Sequence, residues 1–490
     1  MTVFELLFPL LTGDEIPNDA PVGALTDRTD ETGASSLFFC IRGARADGHK
    51  LAEKAYGGGC RLFVAERPLS LPDDATVYLV NNTRYALGIA AHRFYGSPSE
   101  KMHLVGITGT KGKTTTASLL YQILTDAGRS CGYVGTNGIL YGDVKEETKN
   151  TTPDPITLNR TLAKMREYGV DTVILEVSSQ AILQHRVAGL CFGSALFTNL
   201  FPDHIGQNEH PSMENYRECK HRLFVDYGVQ TAIVNTDSPD ATGMLSDTSA
   251  KTVIQCSSLD AGADYFATDL RATTEKTLGV SFTVTHFGST QTVRLPMLGK
   301  INASNALLAI ATAHSAFGVS LGVCADALAN ASVAGRCETI ALPNGASAVI
   351  DYAHNGGSLQ ELLRSLREYS PRRLICLFGS VGERTQLRRR ELGKVAARLS
   401  DLCILTSDNP GAEDPMEIIE EIASAFEGFD TPYQKIPDRQ DAIRTAVALT
   451  QPDDILVLAG KGHESYQLVG GERIPFSEKE ILLSAFASVT

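Results

Sequence analysis

The chain has 490 residues, of which 43% are hydrophobic and 21% charged, and its formal net charge is −13. This usage is typical of a globular protein and excludes wholesale disorder. The acidic balance argues against a protein that wraps duplex DNA, because the phosphates require a basic surface. The length favours roughly three domains of ~150 residues each.

No apolar run reaches the ~18–20 residues that a membrane helix requires, so we expect no membrane insertion. Residues 1–17 lack a basic stretch and carry Glu5 within their apolar part, which favours a first amphipathic helix over a signal peptide. The cysteines show neither a Cys-x-x-Cys pair nor zinc-ligand spacing, and several, such as Cys376 and Cys403, lie in apolar strand-like runs. We therefore expect a cytoplasmic protein with reduced, buried cysteines.

Three regions differ in pattern and together predict an α/β protein of three domains. Residues 1–98 carry short apolar runs between turns, which is typical of a small N-terminal α/β module. Residues 99–333 alternate strands with helices and predict a central P-loop-type parallel sheet, with an antiparallel patch over residues 263–297. Residues 334–490 repeat the alternation and predict a C-terminal Rossmann-like α/β domain. In such open sheets, ligands bind beyond the carboxyl ends of the strands.

The first strand of the central region leads into a glycine-rich turn and a helix expected over residues 114–127. Backbone N–H groups of such a turn form a cradle for phosphates. Lys113 is expected to reach the β- and γ-phosphates of ATP, and the Thr114 hydroxyl to meet Mg²⁺. Ile107 stands where the strict pattern has its first glycine, so an ordinary glycine-rich turn is the alternative. The expected ATP-binding residues of the loop are Gly109, Thr110, Lys111, Gly112, Lys113, Thr114 and Thr115.

Two further features of the sequence suit a nucleotide and its metal. Glu176 ends a buried strand, where a carboxylate facing the phosphate loop is expected to hold Mg²⁺; a solvated or helix-capping role is the alternative. Asn302 and Asn305 lie one turn apart at a helix start, and their amide groups suit the edges of adenine. Capping is the alternative for Asn302.

The phosphate loop, Thr108-Gly109-Thr110-Lys111-Gly112-Lys113-Thr114-Thr115, resembles that of the Mur ligases and folylpolyglutamate synthetases, which usually carry Asn where this chain has Lys111. A set of motifs narrows the resemblance to the tripeptide synthetases of peptidoglycan assembly, and it spans nearly the whole chain in the family's order. These motifs are T-T-P at 151–153, E-V-S-S at 176–179, D-Y-A-H at 351–354, D-N-P at 408–410 and G-K-G-H-E at 460–464.

The resemblance implies catalytic roles for Lys113, Glu176, His204, Lys220 and Arg336. His204 lies in a turn similar to the family's N-L-x-x-D-H and is given a metal-linked role, with a structural histidine as the alternative. Lys220 is expected to be carbamylated by CO₂ and to bind a second Mg²⁺, with a surface or salt-bridged lysine as the alternative. Arg336, in a segment similar to G-R-x-E, is expected to approach the γ-phosphate.

Substrate contacts are also implied by the resemblance. Asp351 is assigned to the ATP ribose. The residues assigned to the UDP-sugar and its peptide are Thr29, Thr151, Thr152, Ser178, Gln184 and Arg186. The register around Thr29 is imperfect, Gln180 stands where the motif often has His, and a helix-surface charge is the alternative for Arg186.

The incoming amino acid is expected to contact Asp408, Asn409, Pro410, Gly411, Gly460 and Glu464. Family members that use meso-diaminopimelate usually carry Arg at the position of Gly411, where it pairs with the distal carboxylate. Its absence slightly favours L-lysine, and the nearby Glu413 and Asp414 suit an ammonium group. Arg384 and the arginines at 388–390 are an alternative source of positive charge.

The implied reaction is the ATP-dependent addition of a free diamino acid to UDP-N-acetylmuramoyl-L-alanyl-D-glutamate through an acyl phosphate. It would serve cell wall synthesis, and thereby cell shape and division. We expect a monomer that binds no nucleic acid. A folylpolyglutamate-type or other Mur ligase is the alternative among enzymes. A P-loop NTPase that forms no amide is the alternative of a different class.

Overall fold

The computed structural model describes residues 1–12, 17, 19–43, 46–203, 205–206, 209–274, 277–333, 335, 337–382 and 386–487. The chain divides into two compact units. The first comprises Met1–Asp264 and Leu308–Val319, and the second comprises Tyr265–Leu307 and Ser320–Thr490. The domain boundaries expected near residues 98 and 333 stay predictions.

The first unit begins with a small α/β module. Its elements are α1 (Val3–Leu7), β1 (Leu11–Thr12), β2 (Ala24–Thr26), β3 (Ser36–Phe39), α2 (Ala52–Gly57), β4 (Leu62–Ala65), β5 (Thr76–Val80) and α3 (Thr83–Phe94). The five-stranded sheet has the order β1-β5-β4-β3-β2 and is parallel except for β1. The helix predicted within residues 1–17 is short because Phe8, which precedes Pro9, is extended.

A parallel sheet forms the core of the rest of the first unit. Its elements are β6 (His103–Thr108), α4 (Lys113–Asp126), β7 (Cys131–Gly135), β8 (Gly138–Tyr141), β9 (Val144–Glu146), α5 (Pro155–Glu167), β10 (Thr172–Glu176), α6 (Ser179–Leu183), β11 (Ser194–Phe197), α7 (Met213–Val225), β12 (Thr231–Asn235), α8 (Ala241–Leu245) and β13 (Thr252–Ser257). The strands follow the order β13-β12-β11-β6-β10-β7-β8-β9 and run parallel from β13 to β7.

Strand β6 determines where the functional motifs meet. It lies between β10 and β11 and is buried on both faces, which is why its apolar residues are consecutive rather than alternating. Ile107 pairs with Glu176 on one side, and Thr108 pairs with Phe197 on the other. The turn after β6, Glu176 and the segment after Phe197 therefore lie at the same edge of the sheet.

The second unit contains an antiparallel patch, as predicted, and a second parallel-rich sheet. Its elements are β14 (Tyr265–Thr273), β15 (Gly279–His286), β16 (Ser289–Leu295), α10 (Leu321–Leu328), β17 (Glu338–Ala341), β18 (Ser347–Asp351), α11 (Gly356–Arg367), β19 (Leu374–Phe378), α12 (Gln386–Leu399), β20 (Leu402–Leu405), α13 (Pro415–Ala423), β21 (Tyr433–Lys435), α14 (Arg439–Leu449), β22 (Ile455–Ala459), β23 (Tyr466–Val469), β24 (Glu472–Pro475) and α15 (Glu478–Ala487). Between β16 and α10 runs α9 (Lys300–Phe317), which contributes residues to both units.

The six-stranded sheet of the second unit has the order β17-β18-β22-β19-β20-β21. All its pairs are parallel except β17 with β18. These parallel-rich sheets with flanking helices confirm the predicted α/β fold class. Among the described helices, none is both long and apolar enough to cross a membrane.

Candidate active site

The phosphate loop occupies the turn between β6 and α4, as predicted. The Lys113 Nζ atom donates to the carbonyl oxygens of Gly109 at 2.8 Å and Thr110 at 3.0 Å, so its side chain folds back over the loop. Asn199, just after β11, accepts from the backbone N–H of Lys111 at 2.9 Å and donates to the Lys111 carbonyl at 3.1 Å. These bonds fix the loop at the edge of the sheet.

Glu176 is fully buried at the end of β10. Its carboxylate accepts from the Tyr133 hydroxyl at 2.6 Å, from the Thr136 N–H at 2.9 Å and from the Thr114 hydroxyl at 2.9 Å. A Cβ atom at Gly135 would overlap the carboxylate and lie 2.5 Å from the Tyr133 hydroxyl oxygen. The carboxylate is therefore held against the first residues of α4, where the sequence predicted it.

Lys220 lies in α7 and is only 1% exposed. Its Nζ atom donates to the Gly109 carbonyl at 3.0 Å and lies 4.1 Å from the centroid of the Tyr216 ring. Burial, and then the nearby charge of Lys113, lowers the pKa of Lys220 well below its usual value. The two lysines predicted to act together therefore meet at one carbonyl oxygen.

Tyr216 connects α7 to the phosphate loop. Its hydroxyl donates to Thr110 Oγ1 at 3.0 Å, and that hydroxyl in turn donates to the Phe201 carbonyl at 3.2 Å. Burial raises the pKa of Tyr216 to about 12, so the phenol stays protonated. Of the other predicted catalytic residues, His204 and Arg336 lie outside the described residues.

Four residues predicted to hold the sugar and peptide are linked by hydrogen bonds. The Thr152 hydroxyl donates to Ser178 Oγ at 3.2 Å, and Arg186 Nη1 donates to the Thr152 carbonyl at 2.8 Å. Arg186 also donates to Gln184 Oε1 at 2.8 Å. Burial lowers the pKa of Arg186.

The remaining predicted residues of this group have local contacts. Thr151 Oγ1 lies 3.1 Å from Thr136 Oγ1, which in turn contacts the Glu176 carboxylate. Thr29 lies in the turn after β2, where its carbonyl accepts from the Thr32 hydroxyl. Gln180, which departs from the family motif, accepts from Gln184 Nε2 at 3.1 Å.

The second unit carries the residues predicted for the nucleoside. Asn302 and Asn305 are buried within α9. Asn302 is the third residue of the helix, and its side-chain oxygen accepts from Asn305 Nδ2 at 3.2 Å rather than capping the helix start. Asp351 ends β18 and accepts from the backbone N–H of Cys337 at 2.7 Å and of Ala353 at 2.8 Å. These bonds orient the carboxylate at the carboxyl end of the sheet.

The two loops predicted to bind the amino acid meet around a buried cation. Lys461 is 0% exposed, and its Nζ atom lies 3.0 Å from both Asn409 Oδ1 and Glu464 Oε2. Asn409 Nδ2 also donates to Glu464 Oε2 at 2.8 Å. Asp408 is also buried, its Oδ1 atom lies 3.7 Å from Lys461 Nζ, and burial raises its pKa. Asp408 lies beneath Gly460. A Cβ atom added at Gly460 would be only 2.8 Å from the Asp408 carboxylate.

Gly411 lies where the chain crosses the β23–β24 hairpin. Its N–H donates to the Leu468 carbonyl at 3.2 Å, and its carbonyl accepts from the Gly470 N–H at 2.7 Å. Its φ angle of +63° is in the left-handed region, which glycine adopts at little cost. Pro410 directly precedes Gly411. One residue earlier, the Asn409 carbonyl accepts from the Gly382 N–H at 2.9 Å.

The acidic residues after Gly411 already have partners in the structure, so an ammonium group would have to compete for them; their expected role stays a prediction. Glu413 accepts from Arg389 Nη2 at 2.6 Å, and Arg389 also pairs with Glu421 at 3.0 Å. Asp414 caps α13 by accepting from the Met416 N–H. Arg389 is thereby also removed as a source of charge for the ligand, and Arg384 lies outside the described residues.

The donor set beside the phosphate loop suits a magnesium ion. Thr114 Oγ1 and Glu176 Oε2 are a hydroxyl and a carboxylate oxygen, the hard ligands that Mg²⁺ prefers when phosphates and water complete its shell. The described residues include no group of three or more His, Cys, Asp or Glu placed to bind a metal unaided.

Sequence reasoning missed several residues that shape the site. Lys461 lies inside the G-K-G-H-E motif, so its place in that motif was a usable signal. Tyr133 and Thr136 offered no such signal, because their contact with Glu176 depends on the pairing of β7 with β10. Arg439, which contacts the backbone next to both amino-acid loops, is distant from every motif in sequence.

Comparison with known proteins places these motifs in one family. The Mur ligase middle domain matches residues 107–313, and the "Mur ligase, glutamate ligase domain" matches residues 335–462. A UDP-N-acetylmuramoyl-L-alanyl-D-glutamate–2,6-diaminopimelate ligase of Geobacillus thermodenitrificans is 37% identical over 92% of each chain. A ligase of the same name from Lactiplantibacillus plantarum is 34% identical, covering 99% of this chain and 97% of the other.

Solved structures agree with this assignment. A structure of a UDP-N-acetylmuramoyl-L-alanyl-D-glutamate–2,6-diaminopimelate ligase superposes with a TM-score of 0.72 at 27% identity, covering 96% of this chain and 95% of that chain. A MurF ligase of Thermotoga maritima in complex with ADP, at 18% identity and a TM-score of 0.59, covers 95% of this chain and 97% of its own and shares the fold. The chain therefore belongs to the Mur ligase family of ATP-dependent, amide-forming ligases.

Proposed function

We propose that this chain joins a diamino acid to UDP-N-acetylmuramoyl-L-alanyl-D-glutamate at the expense of ATP. The observation that carries the proposal is the meeting of Lys113, Glu176 and Lys220 around one phosphate loop, in a chain that is 37% identical over 92% of its length to a ligase named for this reaction. A nucleotide-binding switch needs no buried lysine behind its phosphate loop. A ligase brings a substrate carboxylate against ATP, and it therefore needs additional groups that stabilise the converging negative charge.

In the proposed reaction, a γ-carboxylate oxygen of the D-glutamate residue attacks the γ-phosphorus of ATP in line. A new oxygen–phosphorus bond forms, the bond between the γ-phosphorus and the β,γ-bridging oxygen breaks, and ADP leaves. The α-amine of the diamino acid then attacks the acyl carbon, phosphate departs, and the amine loses a proton. Closure of the C-terminal domain, which we propose brings Arg336 and Asp351 to the nucleotide, would exclude water from the acyl phosphate.

The residues of the first unit have proposed roles in this sequence. Lys113, now bonded to its own loop, would turn to the β- and γ-phosphates. Thr114 and Glu176 would hold one Mg²⁺, and carbamylated Lys220 with His204 would hold a second. The two ions would supply positive charge that offsets the repulsion between the carboxylate and ATP. Asn302 and Asn305 are proposed to contact the adenine.

Carbamylation of Lys220 is supported by its environment. The amine nitrogen can attack CO₂ only when neutral, and burial favours that form. A nitrogen–carbon bond forms, one proton leaves the nitrogen, and a negatively charged carbamate replaces the neutral amine beside Lys113. The new charge is opposite in sign to that of Lys113, which supports a modified rather than a free amine in the working enzyme.

The UDP-sugar and its peptide are proposed to bind at the linked residues Thr152, Ser178, Gln184 and Arg186, with Thr151 and Thr29 beside the sugar nucleotide. Because Arg186 is partly desolvated, an anionic ligand would gain more from it than from an exposed arginine. We propose that the enzyme acts as a cytoplasmic monomer in cell wall synthesis and thereby supports cell shape and division.

For the amino acid we propose L-lysine, by a slight margin, although the relatives are named for 2,6-diaminopimelate. The proposed pocket residues are Asp408, Asn409, Gly411, Gly460 and Glu464. In the proposed pocket, two carboxylates, Asp408 and Glu464, face one lysine cation, Lys461. Gly411 offers no side chain that could pair with the distal carboxylate of diaminopimelate. This charge balance supports an ammonium at the distal end of the substrate.

The test offers the purified protein the UDP-dipeptide, ATP and either L-lysine or meso-diaminopimelate, with chromatographic detection of the UDP-tripeptide. Tripeptide formation supports the proposed function, and a strong preference for meso-diaminopimelate would overturn the choice of lysine. Turnover of folate with glutamate instead, or ATP hydrolysis without amide product, would overturn the function itself.

A further inference from the structure

Arg439 is the largest fully buried side chain of the described residues, although it lies outside every recognised motif. It is the first residue of α14, where Asp438 caps the helix. Its guanidinium is 0% exposed and pairs with the Glu478 carboxylate, at 2.9 Å from Nε and 2.7 Å from Nη2. A buried arginine needs such a partner, because an unpaired charge in the interior is costly.

The other guanidinium bonds go to backbone carbonyls that adjoin the amino-acid loops. Nη1 donates to the Ser407 carbonyl at 3.0 Å, and Ser407 directly precedes Asp408. Nη2 donates to the Ala459 carbonyl at 2.9 Å, and Ala459 directly precedes Gly460. These carbonyls follow β20 and end β22, which are separated in the sheet by β19. One rigid, planar group therefore spans the sheet edge and fixes the spacing of the two loops.

Glu478, the first residue of α15, belongs to the same charged cluster. It is 3% exposed, and its second carboxylate oxygen, Oε2, has no hydrogen-bond partner among the described residues. Burial raises the pKa of Glu478, Arg439 opposes that rise, and the charge of Asp408 contributes to it. Arg439, Glu478 and Asp408 therefore belong to one buried cluster of interacting charges.

We propose that Arg439 and Glu478 are positioning residues for the diamino acid, setting the distance between the loops that begin at Asp408 and Gly460. This inference rests on the proposed function, because it assigns the loops to the amino acid. It goes beyond that function by adding two residues, and the start of α15, to the determinants of amino-acid affinity.

The experiment measures KM for the diamino acid, KM for ATP and kcat in Glu478→Gln and Arg439→Lys. The first variant keeps the shape of the side chain and removes its charge; the second keeps the charge and cannot reach both carbonyls and the carboxylate with a planar fork. Glu420→Gln is the matched control, because it removes a carboxylate from the exposed Lys435–Glu420 pair of the same unit. Thermal unfolding accompanies every variant.

We expect Glu478→Gln to raise KM for the diamino acid at least tenfold while KM for ATP and kcat at saturating amino acid stay within twofold, with a larger effect in Arg439→Lys. Glu420→Gln should match the wild type. A folded Glu478→Gln variant with an unchanged amino-acid KM, or an equal rise in every KM, would overturn the inference. A wild-type protein that makes no amide with any diamino acid would overturn the proposed function and this inference together.

Discussion

Replacing Lys220 by methionine should make the protein more stable and nearly inactive. Lys220 is 1% exposed, and its amine donates to the Gly109 carbonyl, which also accepts from Lys113. Methionine has a similar length and places no polar atom in the interior. Because Lys113 still satisfies the Gly109 carbonyl, the substitution leaves no orphaned acceptor behind.

The size of the stability change follows from two opposing terms. The lost hydrogen bond costs about 0.5–1.5 kcal/mol, whereas removal of the buried amine recovers roughly 1–3 kcal/mol of desolvation. The relief of Lys113 repulsion adds to the second term. We expect the free energy of unfolding to rise by about 1 kcal/mol, which corresponds to a shift in Tm of roughly 2–4 °C in a domain of this size. Activity should fall ~10²–10³-fold, as it does when one preorganised charge stabiliser is lost.

The advantage of methionine should depend on pH in a defined direction. The pKa of Lys220 is lowered in the folded state from 10.5, so between the lowered pKa and 10.5 the unfolded chain binds more protons than the folded one. Wild-type stability therefore rises with pH across that window, relative to the variant. The extra stability of Lys220→Met should be largest below the lowered pKa and should shrink towards pH 10.5.

The assay combines thermal unfolding in CO₂-depleted buffer with tripeptide formation in the presence of bicarbonate. Lys164→Met, at an exposed position of α5, is the matched control and should change neither quantity. Lys220→Ala leaves a cavity that small carboxylic acids can enter, so acetate should restore part of the activity of this variant. Acetate should not restore the activity of Lys220→Met, because the methionine side chain fills that space. A fully active Lys220→Met would refute the carbamate role, and a less stable one would refute the burial argument.

Three further substitutions probe the rest of the site. Glu176→Gln should lower activity at least ~100-fold and destabilise the protein by roughly 1–3 kcal/mol, because the amide nitrogen that replaces Oε2 cannot accept the hydrogen bond that the Thr114 hydroxyl donates there. Melting curves and magnesium titrations measure this, and an unchanged Mg²⁺ requirement would contradict it. Gly411→Arg should lower the free energy of unfolding by about 1 kcal/mol, because the residue is in the left-handed region. An unchanged Tm would contradict this expectation. Arg186→Lys should raise KM for the UDP-dipeptide and leave KM for the amino acid alone, as steady-state kinetics can check.

Much of the fold was readable because its elements follow local rules. Strand β6 is an unbroken apolar run that leads into a glycine-rich turn, and both features are visible in a single window of sequence. Residues such as Lys113, Glu176 and Lys220 were found because they sit at strand ends or in short motifs. The meeting of Lys113 and Lys220 at the Gly109 carbonyl, and the place of Glu176 beside that loop, also depend on the strand order, which local sequence does not reveal.

Other parts of the site could not be read in this way because their causes are tertiary. In the sequence, Glu413 looked available to a ligand. The structure pairs it with Arg389 of α12, a contact between segments that are distant in sequence. Arg439 resembles any helix-start arginine in sequence, and only the packing of α14 against the end of the sheet reveals what it holds. Gly411 was recognised as a departure, but its pairing with the β23–β24 hairpin depends on contacts between distant segments.

The bare backbone at residue 135 restricts how this chain can evolve. Because Tyr133 and the Glu176 carboxylate fill the space that a methyl group would need, even alanine there would push the carboxylate away from Thr114. Codon changes at this site would thus be selected against twice, through the stability of the buried carboxylate network and through its position beside the phosphate loop.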